Sequence, residues 1–84
     1  MLSISAPNVV IETVKKAEDS DDIVIRMYEA ENKQTTCVLH TAVELTGCTE
    51  TNLMEEPEKA LPVNGKDVTL TFRPFEIKTY LLRL

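Results

Sequence analysis

An 84-residue chain that is 43% hydrophobic, with two Phe, two Tyr and no Trp, has room for one small domain. Its core must rest on Val, Ile and Leu, residues that favour strands. The net charge of −5 excludes a cationic surface for nucleic acid, since the nine Lys and Arg are scattered and only Lys15 and Lys16 adjoin.

No apolar run approaches a membrane span and no basic-then-apolar leader opens the chain, so the expectation is a soluble, cytoplasmic domain without a membrane partner. Met1 to Ala6 reads as a short edge strand or as the tail of a preceding domain. Val9 to Lys16 is the first full strand, apolar on both faces in its front half, as in a strand covered on both sides. The acidic run Glu18 to Asp22 is a polar turn. Ile23 to Ala30 follows antiparallel, with Ile23, Ile25 and Met27 on one face and Arg26 and Tyr28 on the other. After a turn at Glu31 to Gln34, Thr35 to Thr41 forms a third strand.

Between Ala42 and Met54 the pattern weakens. Val43–Leu45 and Thr49–Leu53 read as two short strands with Gly47 at the turn between them, and Glu55 to Lys59 reads as a loop. The strand register between Cys37 and Lys66 stays open. Asn64-Gly65 is a strong turn signal, and Val68, Leu70 and Phe72 alternate inward. In the last strand, Phe75, Ile77, Thr79 and Leu81 form the row expected to face the core. Glu76, Lys78, Tyr80 and Leu82 form a mixed, partly covered row. Turns every eight to twelve residues predict an all-β fold, a small antiparallel immunoglobulin-like β-sandwich of six or seven short strands spanning 1–84 as a single domain.

Chemistry-bearing residues are few. Cys37 and Cys48 read as small buried hydrophobes, with a cross-strand disulfide as the less favoured alternative. His40, the only histidine, has no orienting group declared in sequence. The acidic turn lacks the glycine and terminal glutamate spacing of a calcium loop. Fourteen acidic residues make any carboxylate pair uninformative, and two glycines leave no phosphate loop. No catalytic constellation, metal site or cofactor site is expected in this chain. Arg26, Glu29 and Glu76 stand out as charges within apolar strands. They suit an outward face, an ion pair between strands, or a contact to a neighbouring domain.

Four blocks in order, Asn8 to Asp19, Arg26 to Ala30, Asn52 to Glu55 and Arg73 to Thr79, resemble the C-terminal β-domain of family 38 α-mannosidases of the cytosolic and bacterial type. Cys37 to Gly47 and Glu58 to Lys66 fit that family loosely. The resemblance implies a non-catalytic module whose partners are the catalytic and other domains of a much longer enzyme. That enzyme's zinc and aspartate nucleophile, which serve a retaining hydrolysis of α-mannosides, belong to an absent catalytic domain. It also implies a domain interface at Arg26, Tyr28, Glu29, Glu76 and Tyr80, and weak self-association of the isolated chain. A carbohydrate-binding module, with few aromatics for a sugar platform, and a free-standing hydrolase are the alternatives.

Overall fold

The computed structural model describes residues 2–17, 22–51 and 57–83. Residues 18–21 of the expected acidic turn Glu18 to Asp22, and the stretch 52–56, lie outside the described residues. Among those described, eight strands form: β1 (Ser3–Ile4), β2 (Val9–Lys16), β3 (Ile23–Glu29), β4 (Thr35–His40), β5 (Gly47–Thr51), β6 (Pro57–Leu61), β7 (Asp67–Phe72) and β8 (Ile77–Arg83). They make two antiparallel sheets, one of order β1-β4-β7 and one of order β2-β3-β8-β5-β6. The links β1–β2, β3–β4, β4–β5, β6–β7 and β7–β8 each cross from one sheet to the other, which ties the two layers into a sandwich.

The core sits between the inner rows. Ile25 and Met27 of β3, Tyr80 and Leu82 of β8, and Cys48 of β5 face Cys37 and Leu39 of β4 and Val68, Leu70 and Phe72 of β7. The Phe72 and Tyr80 rings meet edge to face, with centroids 6.4 Å apart and planes at 76°. Burying side chains of this size is worth roughly 1.5–3 kcal/mol each, more than exposed ion pairs supply. The core therefore carries the fold.

The facing of the last strand is the reverse of the sequence expectation. Tyr80 and Leu82 are buried at 1% exposure, whereas Ile77 is 60% exposed and Phe75, in the β7–β8 turn, 61%. Pairing decides this. Tyr80 lies opposite Ile25 and Leu82 opposite Ile23, so both join the inner row of β3.

Lys78, whose charge made that row look outward, lies opposite Met27 at the end of the core and bends its ammonium away. Its Nζ donates to the Thr71 carbonyl at 2.8 Å, lies 3.5 Å from Glu50 and 3.6 Å from Glu76, and sits 5.8 Å above the Phe72 ring. Lys78→Ala removes that lid and is expected to cost about 1–2 kcal/mol in chemical denaturation.

Two further expectations change. Gly47 begins β5 instead of a turn, and residues 42–46 form no strand. Part of the expected loop is β6, an edge strand that begins at a proline, where the missing amide hydrogen costs no ladder bond. β2 is the opposite edge of its sheet, with Val9 buried, Val10 and Ile11 half-buried and the second half of the strand exposed. Cys37 and Cys48 are buried and free, on β4 and β5 of different sheets.

Candidate functional site

Glu29 continues the inner row of Ile25 and Met27 and brings a carboxylate to the end of the core at 1% exposure. Both its oxygens are occupied. Oε2 accepts from Asn8 Nδ2 at 2.7 Å and from the Glu31 amide at 2.8 Å. Oε1 accepts from the Lys33 amide at 3.0 Å and from the Phe75 amide at 2.9 Å. Asn8 Nδ2 also donates to Thr35 Oγ1 at 2.7 Å.

One carboxylate thus fastens the β1–β2 link, the β3–β4 turn and the β7–β8 turn. Two residues in these turns have left-handed backbones, Asn32 (φ 59°) and Phe75 (φ 58°). Asn tolerates that region, while Phe does so only where neighbours hold it, and Glu29 holds the Phe75 amide. Burial alone would raise the Glu29 pKa. The donors from Phe75, Asn8, Glu31 and Lys33 outweigh it and lower the value from 4.5 to about 2. A carboxylate held ionised with both oxygens occupied suits a structural clamp and not a proton donor at neutral pH.

The outer face of the five-stranded sheet lies beside this clamp. Val10, Tyr28 and Ile77 stand abreast on β2, β3 and β8, with Thr13, Arg26, Thr79 and Thr51 in the next row. Arg26 Nη1 lies 3.7 Å from Glu12, and its Nε is buried without a hydrogen-bond partner among the described residues. Tyr28, Phe75, Ile77 and Glu12 line a shallow depression of about 340 Å³.

The five residues named from sequence therefore separate. Arg26 and Tyr28 are on the outer face. Glu29 is the buried clamp. Glu76 accepts from the Arg73 amide at 2.8 Å and closes the β7–β8 turn. Tyr80 is in the core, where burial, then the charge of Glu50, pushes its hydroxyl pKa upward. Phe75 and Ile77 were missed as outer-face residues, because their row was assigned to the core.

On the other sheet, His40 Nδ1 lies 2.5 Å from Asp67 Oδ1, both side chains about half exposed. Asp67 supplies the orienting group that sequence did not declare, 27 residues away. Burial raises the Cys37 thiol pKa, and burial followed by the charge of Glu50 raises that of Cys48 to about 11, which leaves both unreactive at neutral pH. Among the described residues no three of His, Cys, Asp and Glu come together as metal ligands, so these residues do not fit a zinc ion. No described helix is long and apolar enough to cross a membrane.

Two antiparallel sheets, with a buried carboxylate fastening three of their connections, define a small β-sandwich domain. The glycosyl hydrolases family 38 C-terminal β-sandwich domain matches residues 8–80, and the chain belongs to that family. It is 38% identical over 87 residues to human alpha-mannosidase 2C1 and 37% identical to the mouse protein of that name. It is 29% identical over 82 residues to alpha-mannosidase G of Dictyostelium discoideum. These alignments cover 94–98% of this chain but 8% of each relative.

Proposed function

We propose that this chain is the non-catalytic C-terminal β-sandwich of a zinc-dependent, retaining α-mannosidase, and that it packs against the enzyme's catalytic and other domains. The observation that carries the reading is a match along nearly the whole chain to a small fraction of much longer α-mannosidases. The zinc and the nucleophile belong to the remainder of the polypeptide. The compartment is the cytoplasm, and two buried, free cysteines suit reducing conditions.

The docking surface is the outer face around Tyr28, Ile77 and Phe75, flanked by Arg26. Glu29 and Glu76 shape it from behind by holding the turn that presents Phe75. Isolated, this patch produces weak self-association, visible by sedimentation at high concentration; a strict monomer would argue against a large patch.

The 84-residue chain is expected to show no turnover of an aryl α-mannoside above a matched blank, with zinc added, while the longer polypeptide is active. Ile77→Asp leaves the melting of the 84-residue chain unchanged, because the side chain is exposed. In the longer polypeptide it shortens the half-life of activity on heating. Activity of the short chain, or indifference of the long one to Ile77→Asp, would count against the reading.

One observation favours a second reading. Tyr28 and Phe75 share their depression with Glu12, a pairing of aromatic and carboxylate groups suited to a sugar. A saturable set of amide shifts around Phe75 on titration with mannose or mannobiose would promote a carbohydrate-binding role.

A further inference from the structure

Four strands stand at sheet edges among the described residues, β1 and β7 in one sheet and β2 and β6 in the other. An open edge invites pairing with another chain unless it is short, bulged, or blunted by proline or lysine. β1 is two residues long, β2 has a bulge between Ile11 and Thr13 and ends in Lys15 and Lys16, and β6 opens at Pro57 and carries Lys59. β7, from Asp67 to Phe72, has none of these and runs six residues in unbroken register with β4.

The register says which backbone groups face outward. The Thr41 amide donates to the Lys66 carbonyl at 2.9 Å. In this ladder Val68, Leu70 and Phe72 therefore bond to β4, while Asp67, Thr69 and Thr71 turn their amides and carbonyls to the edge. Asp67 is satisfied by Asn64, with its amide donating at 3.0 Å and its carbonyl accepting at 2.9 Å. Just past β7, the Arg73 amide donates to Glu76 Oε1 at 2.8 Å, and its carbonyl accepts from the Glu76 amide at 3.0 Å. Between these closed ends, the Thr71 carbonyl accepts from Lys78 Nζ at 2.8 Å. That lysine reaches over from β8 in the facing sheet, with its ammonium 3.5 Å from Glu50 and 3.6 Å from Glu76.

We propose that the β7 edge is a pairing surface for β7 of a second copy, and that Lys78 keeps it closed. Two antiparallel copies of β7 with Leu70 opposite Leu70 bring Thr69 of each opposite Thr71 of the other. Their outward amides and carbonyls then form four hydrogen bonds, and two of the acceptors are the Thr71 carbonyls that Lys78 occupies. An incoming strand would also have to bury the ammonium beside its two carboxylates, a costly desolvation. The flanking residues in that register, Asp67 and Arg73, are satisfied within their own chain, so pairing closes as a two-fold dimer. The outer face takes no part in it.

The test is sedimentation velocity of the 84-residue chain, with Ile77→Asp present throughout to silence the outer face. Lys78→Met keeps the apolar stem and removes the ammonium, and it is expected to convert the monomer to a dimer. Thr69→Pro, added to it, is expected to restore the monomer, because that proline deletes an edge amide and no bond to β4. Val9→Ala, a buried substitution on β2, controls for lost stability and stays monomeric. In the dimer, the amides of Thr69 and Thr71 exchange with deuterium roughly tenfold more slowly than in the monomer, while Leu70 keeps its rate.

A Lys78→Met chain that remains monomeric overturns the inference, as does a dimer that survives Thr69→Pro. Equal dimerisation of Val9→Ala assigns the effect to lost stability and overturns it too. Should Lys78→Met fail to fold, exchange in the Ile77→Asp monomer decides. Fast exchange at Thr69 beside slow exchange at Leu70 supports an open edge closed only at Thr71; slow exchange at both means that the edge is already covered, and the inference falls.

Discussion

Glu29→Ala is expected to lower the melting temperature by roughly 10 °C or more at neutral pH, the largest effect of any polar substitution in this chain. The carboxylate accepts from Asn8, Glu31, Lys33 and Phe75, and its loss leaves one buried and three part-buried donors without that partner at three connections. Glu29→Gln is also destabilising, because its amide group directs hydrogens at donors. The smaller cavity makes it less damaging than alanine.

The pH dependence has a definite sign. The Glu29 pKa is lowered from 4.5 to about 2, so its stabilisation is complete above pH 4.5 and is lost as pH falls toward 2. Thermal melts of wild type and Glu29→Ala should therefore converge across that window. A gap that stays constant down to pH 2 would contradict the clamp.

Tyr80→Ala is the second large effect, with an expected loss of roughly 3–5 kcal/mol in chemical denaturation. Tyr80 is buried, lies opposite Ile25, and gives its ring to an edge-to-face contact with Phe72. Ile77→Ala, three residues earlier on the outward face of the same strand, should change stability by less than about 0.5 kcal/mol. This contrast tests the facing of β8 directly. A costly Ile77→Ala beside a mild Tyr80→Ala would restore the facing that alternation alone suggests.

The contrast also shows what the sequence makes legible. Ile23, Ile25 and Met27 announce the inner row of β3, and Glu29 stands in phase with them, so a buried carboxylate could have been anticipated. Its partners could not, because Asn8 and Phe75 lie 21 and 46 residues away and meet it only through the fold. In β8 both rows carry bulky apolar residues. Lys78 tipped the assignment the wrong way, because a lysine stem can lie in a core while its ammonium reaches out. β6 was hidden by its opening proline and by charge, which an edge strand tolerates. The His40–Asp67 pair depends on the β4–β7 register, which local pattern does not specify.

The four blocks that carry the family resemblance behave differently in the fold. Asn8 and Glu29 sit in the first two, and the Arg73–Thr79 block contains the turn that Glu29 fastens. Three of the matched blocks thus converge on one corner of the sandwich. The stretch 52–56, which contains the remaining block, lies outside the described residues.

The length of the reading frame upstream of Met1 tests the central claim most directly. The account predicts an uninterrupted frame that continues into a long α-mannosidase-like segment with a histidine and aspartate zinc site, which makes this chain the architectural end of an enzyme. A frame that begins at Met1 and yields an 84-residue protein would contradict it. The outer face around Tyr28 and Phe75 would then have to serve a separate partner or a sugar.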